Sequence, residues 1–317
     1  MRLLRLVGWI LCMFSAAGMP YAQDYPTKPI RIVTSGLGGS NDIAARLIAQ
    51  GFTVSMGQQV VVENRGSGVI PGQTVSQAPP DGYTLLVAGG SFTIGPLLQK
   101  TPYDVVRDFS PISLVAMQPN VLVVHPSMPA KSAKDLIALA KARPGELNYG
   151  SLGTGSSPHL AAELLKSMAG INIVRVNYKN SATYFTDLIG GHLHFLIGTA
   201  SSVTPYAKSG RVRALAVTSA QPSTLVPGLP TLASSGLPGY EYVTVTGFYA
   251  PTKTPAAVVN RLNQETLRFL SAPDVKEKFF NIGVEVVGSS PETLAATIKA
   301  EITRMDKVIR EAGIRVE

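Results

Sequence analysis

The sequence predicts an α/β protein built from two lobes with a ligand cleft between them. Short β-branched runs alternate with helical patterns, the alternation occurs twice, and a strand, a Gly/Ser-rich loop and a helix follow one another in each half. A chain of 317 residues is long enough for two units of ordinary domain size, and its composition of 45% hydrophobic and 15% charged residues is typical of a folded protein.

The N-terminus has the pattern of a secretory signal peptide. Arg2 and Arg5 precede an apolar run at residues 6–14, and small residues follow it. This run is shorter than the roughly 20 apolar residues of a membrane span. Cleavage is expected after Ala22, with Gly18 as the alternative. The only cysteine, Cys12, lies in this segment, so the mature chain has no disulfide and no thiolate nucleophile.

The remaining elements divide between the two predicted lobes. The first lobe takes residues 23–120 and 246–317, and the second takes residues 121–245. In chain order, strands are predicted at 30–34, 60–63, 84–88, 121–124, 147–150, 173–176, 213–218 and 242–249, and helices at 43–52, 133–142, 160–168, 255–270 and 291–312. The stretch 222–239 is rich in Pro and Gly and has turn chemistry.

Two Gly/Ser-rich loops carry the functional prediction. Residues 34–41 and 150–157 each join a strand to a helix, at the sheet edge where open α/β folds bind ligands. A helix start offers free N–H groups and the positive end of the helix dipole, which together suit a carboxylate. In the alternative interpretation, Asn41 and Ser157 are ordinary helix caps and the glycines are turn residues.

Catalytic and metal-binding signatures are absent from the sequence. The patterns G-x-S-x-G, G-x-G-x-x-G and G-x-x-x-x-G-K-[ST] do not occur. His192 and His194 are placed two apart on a predicted strand without a third ligand at metal spacing. Asp42 is interpreted as a first-turn residue that complements the helix dipole. No cofactor is expected.

The charge balance disfavours nucleic acid as a partner. The formal charge is +8, and subtracting the charges of Arg2 and Arg5 leaves +6 for the mature chain. The basic residues are scattered without a run or an interleaved aromatic set. In the last predicted helix, the apolar stripe is expected to face the core; it consists of Leu294, Ile298, Ile302, Met305 and Ile309.

A series of collinear motifs resembles one known family. The motifs run from about residue 25 to residue 313: Tyr-Pro-Thr-Lys-Pro-Ile-Arg at 25–31, Gly-Gly at 38–39 with Asp42, Gly-Gln at 57–58, Pro-Asp-Gly-Tyr-Thr-Leu at 80–85, Pro-Tyr-Asp at 102–104, Pro-Gly at 144–145, His-Leu at 159–160, Asp-Leu at 187–188, Gly-Gly at 190–191, Arg-Ala-Leu-Ala-Val-Thr at 213–218 and Pro-Thr at 230–231. In these motifs the chain is similar to the Bug/TctC family of tripartite tricarboxylate transporter substrate-binding receptors.

The resemblance implies a type II periplasmic-binding-protein fold, in which a two-strand hinge joins the lobes. It also implies a monomer in the periplasm that binds a small organic acid and meets the membrane subunits of a tripartite tricarboxylate transporter. The ligand-binding residues carried over by motif are Thr34, Ser35, Gly38, Gly39, Ser40, Asn41, Asp42, Ser91, Phe92, Thr93, Ser151, Thr154, Ser156, Ser157, His159, Tyr178 and Thr199.

Several positions depart from the family pattern. Thr34 and Ser35 stand where the family usually has Pro-Phe, which removes an aromatic wall and adds two hydroxyls. Gly198 stands where members often carry an acid, and Val245 replaces a usual Trp. The departures predict a polar wall and poor binding of amino acids, whose ammonium group would lack a carboxylate partner.

Two other functions remain open from the sequence. A ligand sensor would bind the same acid but present it to a signalling receptor. A secreted hydrolase would use His159 and the serine-rich loops for catalysis.

Overall fold

The computed structural model describes residues 25–66, 69–311 and 314. The predicted signal peptide and Cys12 lie outside these residues. Within the part that is described, no helix is both long and apolar enough to span a membrane.

Helices and strands alternate along most of the chain. The first part forms β1 (Ile30–Thr34), α1 (Ser40–Met56), β2 (Val60–Asn64), α2 (Ile70–Ser76), β3 (Thr84–Ala88), α3 (Gly90–Thr93), α4 (Gly95–Leu98) and β4 (Phe109–Val124). The middle part forms α5 (Ala133–Ala142), β5 (Asn148–Ser151), α6 (Ser157–Ala169), β6 (Val174–Asn177), α7 (Ser181–Ile189), β7 (Phe195–Thr199), α8 (Ala200–Lys208) and β8 (Arg213–Val217). The last part forms β9 (Val243–Pro251), α9 (Ala256–Ser271), α10 (Pro273–Asn281), β10 (Glu285–Val286) and α11 (Pro291–Glu311).

The first lobe is built on a mixed sheet. Its strand order is β2-β1-β3-β9-β4, with β1 parallel to β2 and β3, and β9 antiparallel to β3 and β4. All five residues of β3 are buried, as expected for a central strand covered on both faces. The carboxyl ends of β1 and β3 therefore lie at one edge, where each strand leads into the start of a helix.

The second lobe repeats this arrangement. Strand β5 lies between β6 and β7 and is parallel to both, while the end of β4 pairs antiparallel with β7 and β8. The loop between β5 and α6 leaves the carboxyl end of β5, as the loop between β1 and α1 leaves β1. The chain thus has the predicted two-lobed α/β fold of a periplasmic binding protein.

Strands β4 and β9 form the hinge between the lobes. Residues 109–119 of β4 pair with β9, whereas residues 120–124 pair with β7. Asn120 is the residue at which β4 passes from one sheet to the other. The sequence prediction of a strand at 121–124 was too short, because Pro111 and Pro119 interrupt the apolar run. Irregular pairing at residues 111–113 accommodates Pro111, and Pro119 is the last residue of β4 that pairs with β9, so neither proline ends the strand.

Helix α11 packs against both lobes. Leu294 and Ile298 join a buried cluster with Tyr249 of β9, whereas Met305 and Ile309 join a cluster of second-lobe residues. The predicted apolar stripe is therefore confirmed as a core face, with only Ile302 partly exposed. The apolar stripe of α11 spans both of these buried clusters. The residue bounds given above for the two lobes remain a prediction.

Candidate functional site

A cavity lies between the lobes, at the carboxyl edges of both sheets. It is bounded on one side by the loop from β1 to α1 and on the other by the loop from β5 to α6. Its lining consists of Ser35, Gly36, Gly39, Ser40, Asn41, Gly90, Ser91, Leu152, Ser156, Ser157, Pro158, Lys179, Ser181, Tyr184, Thr199 and Thr244. None of these described lining residues is acidic.

Helix α1 points an uncapped N-terminus at the cavity. Its cap residue is Gly39, which has no side chain to accept a hydrogen bond. The backbone N–H groups of Ser40, Asn41 and Asp42 have no hydrogen-bond partner among the described residues. Free N–H groups at a helix start, together with the helix dipole, favour an anion.

Helix α6 presents a second uncapped N-terminus from the other lobe. Its cap residue, Ser156, could accept a hydrogen bond from the first turn but makes none. The N–H groups of Ser157 and His159 are likewise without a partner in the described part of the chain, and Pro158 has no N–H. By contrast, Ser132 and Asn180 cap α5 and α7 with their side chains.

The alternative interpretation of Asn41 and Ser157 as helix caps is wrong. Both residues lie inside the first turn of their helices, after the caps Gly39 and Ser156. Asn41 Oδ1 accepts a hydrogen bond from Thr246 Oγ1 at 3.2 Å, on strand β9. These two side chains are thus directed to the hinge rather than to their own helix ends.

Two hydroxyls of the cavity lining are buried without a hydrogen bond. Ser156 Oγ and Ser181 Oγ have no partner that meets hydrogen-bond geometry. A buried hydroxyl that is left unpaired costs roughly 1–3 kcal/mol, so an orphan in a cavity indicates a polar ligand or water there. Lys179, two positions before Ser181 in the chain, makes no ion pair among the described residues and supplies the only formal charge of the described lining.

The hinge end of the cavity contains a buried polar chain. Asn120 Nδ2 donates to Ser157 Oγ at 2.7 Å, and Thr244 Oγ1 donates to Asn120 Oδ1 at 2.8 Å. A hydrogen bond between Ser157 Oγ and Thr244 Oγ1 closes the chain. Asn120 is fully buried, so this chain ties two lining hydroxyls to the hinge strands.

Asp42 shapes the first loop from behind. Its carboxylate accepts hydrogen bonds from Gly38 N at 3.0 Å, Arg46 Nε at 3.0 Å and Asn64 Nδ2 at 2.8 Å. The side chain is buried and does not line the cavity. As predicted, it lies in the first helical turn, but these contacts give it a positioning role for the loop as well.

His159 is buried at the start of α6 and contacts the loop ahead of this helix. Gly155 N donates to His159 Nδ1 at 3.2 Å, and the ring makes no hydrogen bond to a serine hydroxyl among the described residues. Burial lowers its pKa to about 3, and nearby Arg175 adds to this shift. The ring is therefore neutral at physiological pH, and its contact holds the loop ahead of α6.

The cavity brings together part of the predicted site. The predicted residues that line it are Ser35, Gly39, Ser40, Asn41, Ser91, Ser156, Ser157 and Thr199. The predicted residues outside the lining are Thr34, Gly38, Asp42, Phe92, Thr93, Ser151, Thr154, His159 and Tyr178. A direct role in binding remains a prediction for both groups.

The residues outside the lining have other partners. Thr34 Oγ1 donates to the Val87 carbonyl at 2.9 Å, so only Ser35 of the two expected hydroxyls reaches the wall. Phe92 packs between Tyr103 and Phe109. Tyr178 donates to Asp187 at 2.6 Å. Ser151 accepts from Arg175 at 2.7 Å.

Some lining residues were not anticipated from the sequence. They are Gly90, Lys179, Ser181, Tyr184 and Thr244. The Asn180 cap and the helix after it could have drawn attention to Lys179 and Ser181. Thr244 lies in a β-branched run with no local sign of function.

The expectation that His192 and His194 share a strand is wrong, because both precede β7. The backbone N–H of Asn148 donates to His194 Nδ1 at 3.1 Å.

The chain matches known proteins along nearly its whole length. The model of the family described as "Tripartite tricarboxylate transporter family receptor" matches residues 44–314. BugT of Bordetella pertussis is 35% identical over 322 residues, which cover 100% of this chain and 99% of the relative.

Solved structures of related proteins superpose closely on this fold. The structure described as R. palustris Rpa4515 with adipate has a TM-score of 0.88 and 37% identity, covering 92% of this chain and 99% of that chain. The structure of MatC from Rhodopseudomonas palustris with bound malate has a TM-score of 0.86 and 26% identity, covering 90% of this chain and 100% of that chain.

Proposed function

This chain belongs to the tripartite tricarboxylate transporter receptor family, and from that membership we propose that it captures a small organic carboxylate between its lobes in the periplasm. The bound acid is then delivered to the membrane subunits of a tripartite transporter. The observation that carries the proposal is the pair of uncapped helix starts, α1 and α6, that face one cavity from opposite lobes.

The chemistry of the lining supports a carboxylate. Ser40, Asn41 and Ser157 offer free backbone N–H groups, and Ser156 and Ser181 offer unpaired hydroxyls. Lys179 adds one positive charge, and no acidic group of the described lining opposes it. Charge-assisted hydrogen bonds from N–H and O–H donors to a carboxylate are stronger than neutral ones. No arginine contributes to the described lining, so binding relies on these donors.

The ligands of related structures support the same class. Adipate and malate, named with the two structures above, are both small dicarboxylates. Amino acids are expected to bind poorly, because their ammonium group would meet helix N-termini and Lys179 without an acidic partner. Gly198, where an acid was expected, is buried and lies outside the lining, so this expectation rests on the lining residues and not on Gly198.

A thermal-shift screen of the mature protein tests the ligand class. Succinate, malate, citrate, adipate and aromatic acids would be compared with aspartate, glutamate and neutral sugars. A ligand at 100 times its Kd stabilises the folded state by about 2.7 kcal/mol, so a binding acid raises the Tm by several degrees. A shift for sugars alone would contradict the carboxylate class. Native mass spectrometry of the purified protein would identify an acid that is retained.

The partnership with a transporter has its own test. Vesicles that contain the membrane subunits would take up a radiolabelled acid only when the loaded protein is added. If uptake does not depend on the protein while a signalling receptor responds to it, the delivery role is wrong and the sensor role replaces it. Scattering at several protein concentrations would check the expected monomer.

A further inference from the structure

Thr244 lies on hinge strand β9 and lines the cavity beside the start of α6. It belongs to the chain of hydrogen bonds formed with Asn120 and Ser157. The side chain of Thr244 is 4% exposed and that of Asn120 is fully buried, so water does not compete freely for their protons. The direction of each hydrogen bond in this chain therefore decides what the cavity wall offers to a ligand.

The proton of Thr244 is already committed. A threonine hydroxyl has one proton and two acceptor sites. Thr244 Oγ1 donates its proton to the carboxamide oxygen of Asn120, which cannot itself donate. Ser157 Oγ can also donate to Asn120 Oδ1, at 3.1 Å, and in its contact with Thr244 Oγ1 either hydroxyl can be the donor. In each arrangement that satisfies these groups the Thr244 proton goes to Asn120 or to Ser157, so only acceptor sites of Thr244 remain for the cavity. Tyr242 is also close to Ser157 and competes for the Ser157 hydroxyl. What Ser157 offers to the cavity therefore depends on Tyr242 as well, so the inference is based on Thr244.

Because Thr244 Oγ1 has no free proton, it can bind only a ligand group that donates a hydrogen bond. A carboxylate oxygen also only accepts, so it gains no hydrogen bond from Thr244 Oγ1 and is better placed at the free N–H groups of α1 and α6. An ammonium group could donate, but the two helix N-termini and Lys179 make the cavity unfavourable for a cation. A neutral hydroxyl group can donate to Thr244 at no charge penalty.

We propose that Thr244, oriented by Asn120, forms a subsite for a hydroxyl group of the ligand, so that the protein prefers hydroxycarboxylates to the same acids without the hydroxyl. This inference rests on the proposed function. It specifies that the ligand carries a hydroxyl group in addition to its carboxylate. Thr244 is the specificity-determining residue, and Asn120 is a positioning residue that acts through it. A ligand without the hydroxyl leaves a desolvated acceptor unpaired, and sites built around such a group discriminate by tenfold or more.

Matched pairs of acids test the subsite by titration calorimetry. The pairs are malate with succinate, citrate with tricarballylate, and 2-hydroxyadipate with adipate, which differ only in the hydroxyl group. The wild-type protein is expected to bind the hydroxy acid at least tenfold more tightly in the pair that fits the cavity. In Thr244→Val this ratio should fall to within about twofold, whereas Thr244→Ser, which keeps the hydroxyl, should retain it.

The ratio is measured within one variant, so a general loss of folded protein affects both acids equally. Equal affinities in the wild-type protein would overturn the subsite while leaving the proposed function intact. A ratio that Thr244→Val does not change would assign the preference to another group and would also overturn it. If no acid of any pair binds, the proposed function itself fails, and the subsite fails with it.

Discussion

Gly36 and Lys179 meet across the cleft, and a Cβ atom on Gly36 would lie 2.6 Å from the carbonyl oxygen of Lys179. The first residue belongs to the loop before α1 and the second to the loop before α7. Ser181 N also donates to the Leu37 carbonyl across the same contact, at 3.4 Å. The two loops can approach this closely only because residue 36 has no side chain.

Gly36→Ala should therefore prevent the full approach of the two lobes. The obstacle is a backbone carbonyl, which cannot turn aside as a long side chain can. We expect ligand affinity to fall by at least tenfold, measured by calorimetry with the acid that gives the largest thermal shift. The matched control is Gly95→Ala, whose Cβ would meet only the Thr154 carbonyl, at 3.8 Å. Equal affinities for the two variants would contradict a role of this contact in closure.

Ser156→Ala should lower the affinity for the ligand, whereas Ser132→Ala should lower the stability of the fold. Ser156 is a helix cap whose hydroxyl faces the cavity without a partner, whereas Ser132 caps α5 by accepting from Asp135 N at 3.2 Å. The Ser156 variant should weaken acid binding by about tenfold with little loss of stability. The Ser132 variant should lose about 1 kcal/mol of unfolding free energy and keep its affinity. Calorimetry and urea unfolding would separate the two, and a stability loss confined to Ser156→Ala would show that its hydroxyl is a structural cap.

Lys179→Met should reduce the affinity for dianions more than for monoanions. Lys179 lines the cavity, but its side chain is exposed, so the expected loss is only a few-fold at physiological salt. The dependence of affinity on ionic strength should also decrease. Lys208→Met removes the same charge from an exposed position at the end of α8 and serves as the control. Identical salt dependences in the two variants would mean that only net charge matters.

Asp42→Ala should destabilise the protein, whereas Asp274→Ala should not. Both aspartates lie in a first helical turn and pair with a basic residue four positions later. The Asp42 side chain is only 6% exposed and accepts hydrogen bonds from Gly38 and Asn64, while the Asp274 side chain is 68% exposed. We expect a loss of about 2 kcal/mol for Asp42→Ala and less than about 0.5 kcal/mol for Asp274→Ala, measured by urea unfolding.

Glu301 should make the stability of the protein depend on pH. It lies on α11 between Ile298 and Met305, and its Oε2 atom is buried without a partner. Burial raises the pKa of this carboxyl from 4.5 to about 7, and Arg304 opposes the shift. Between these pH values the folded state binds more protons than the unfolded state. The unfolding free energy therefore falls as the pH rises from about 4.5 to 7.

Glu301→Gln removes this titration and nearly preserves the shape of the side chain. Each unit of pKa shift corresponds to about 1.4 kcal/mol, so the wild-type protein should lose roughly 3 kcal/mol relative to the variant between pH 4.5 and pH 8. Urea unfolding of both proteins at pH 4.5, 6 and 8 provides the measurement. Parallel pH profiles would mean that the carboxyl ionises alike in the folded and unfolded states.

Local patterns in the chain were sufficient for the fold class and for the two Gly/Ser loops. The alternation of β-branched runs with segments of helical periodicity indicates which segments form strands and helices and which of their faces are buried. The loops at residues 34–41 and 150–157 could be identified because a strand, small residues and a helix are contiguous there. The full length of β4 could not be predicted, because its pairing passes through two prolines and irregular register.

The inner wall of the cleft depended on contacts between distant residues. Asn120 and Thr244 are 124 positions apart, yet their side chains form one hydrogen bond. Lys179 meets Gly36 only because two lobes with separate sheets fold toward each other. Even Asn41 and Ser157, in the loops that were recognised, turned to the hinge strands instead of capping their helices. A sequence window contains the partners of a helix or a turn, but the partners of a buried polar side chain are selected by packing across the whole molecule.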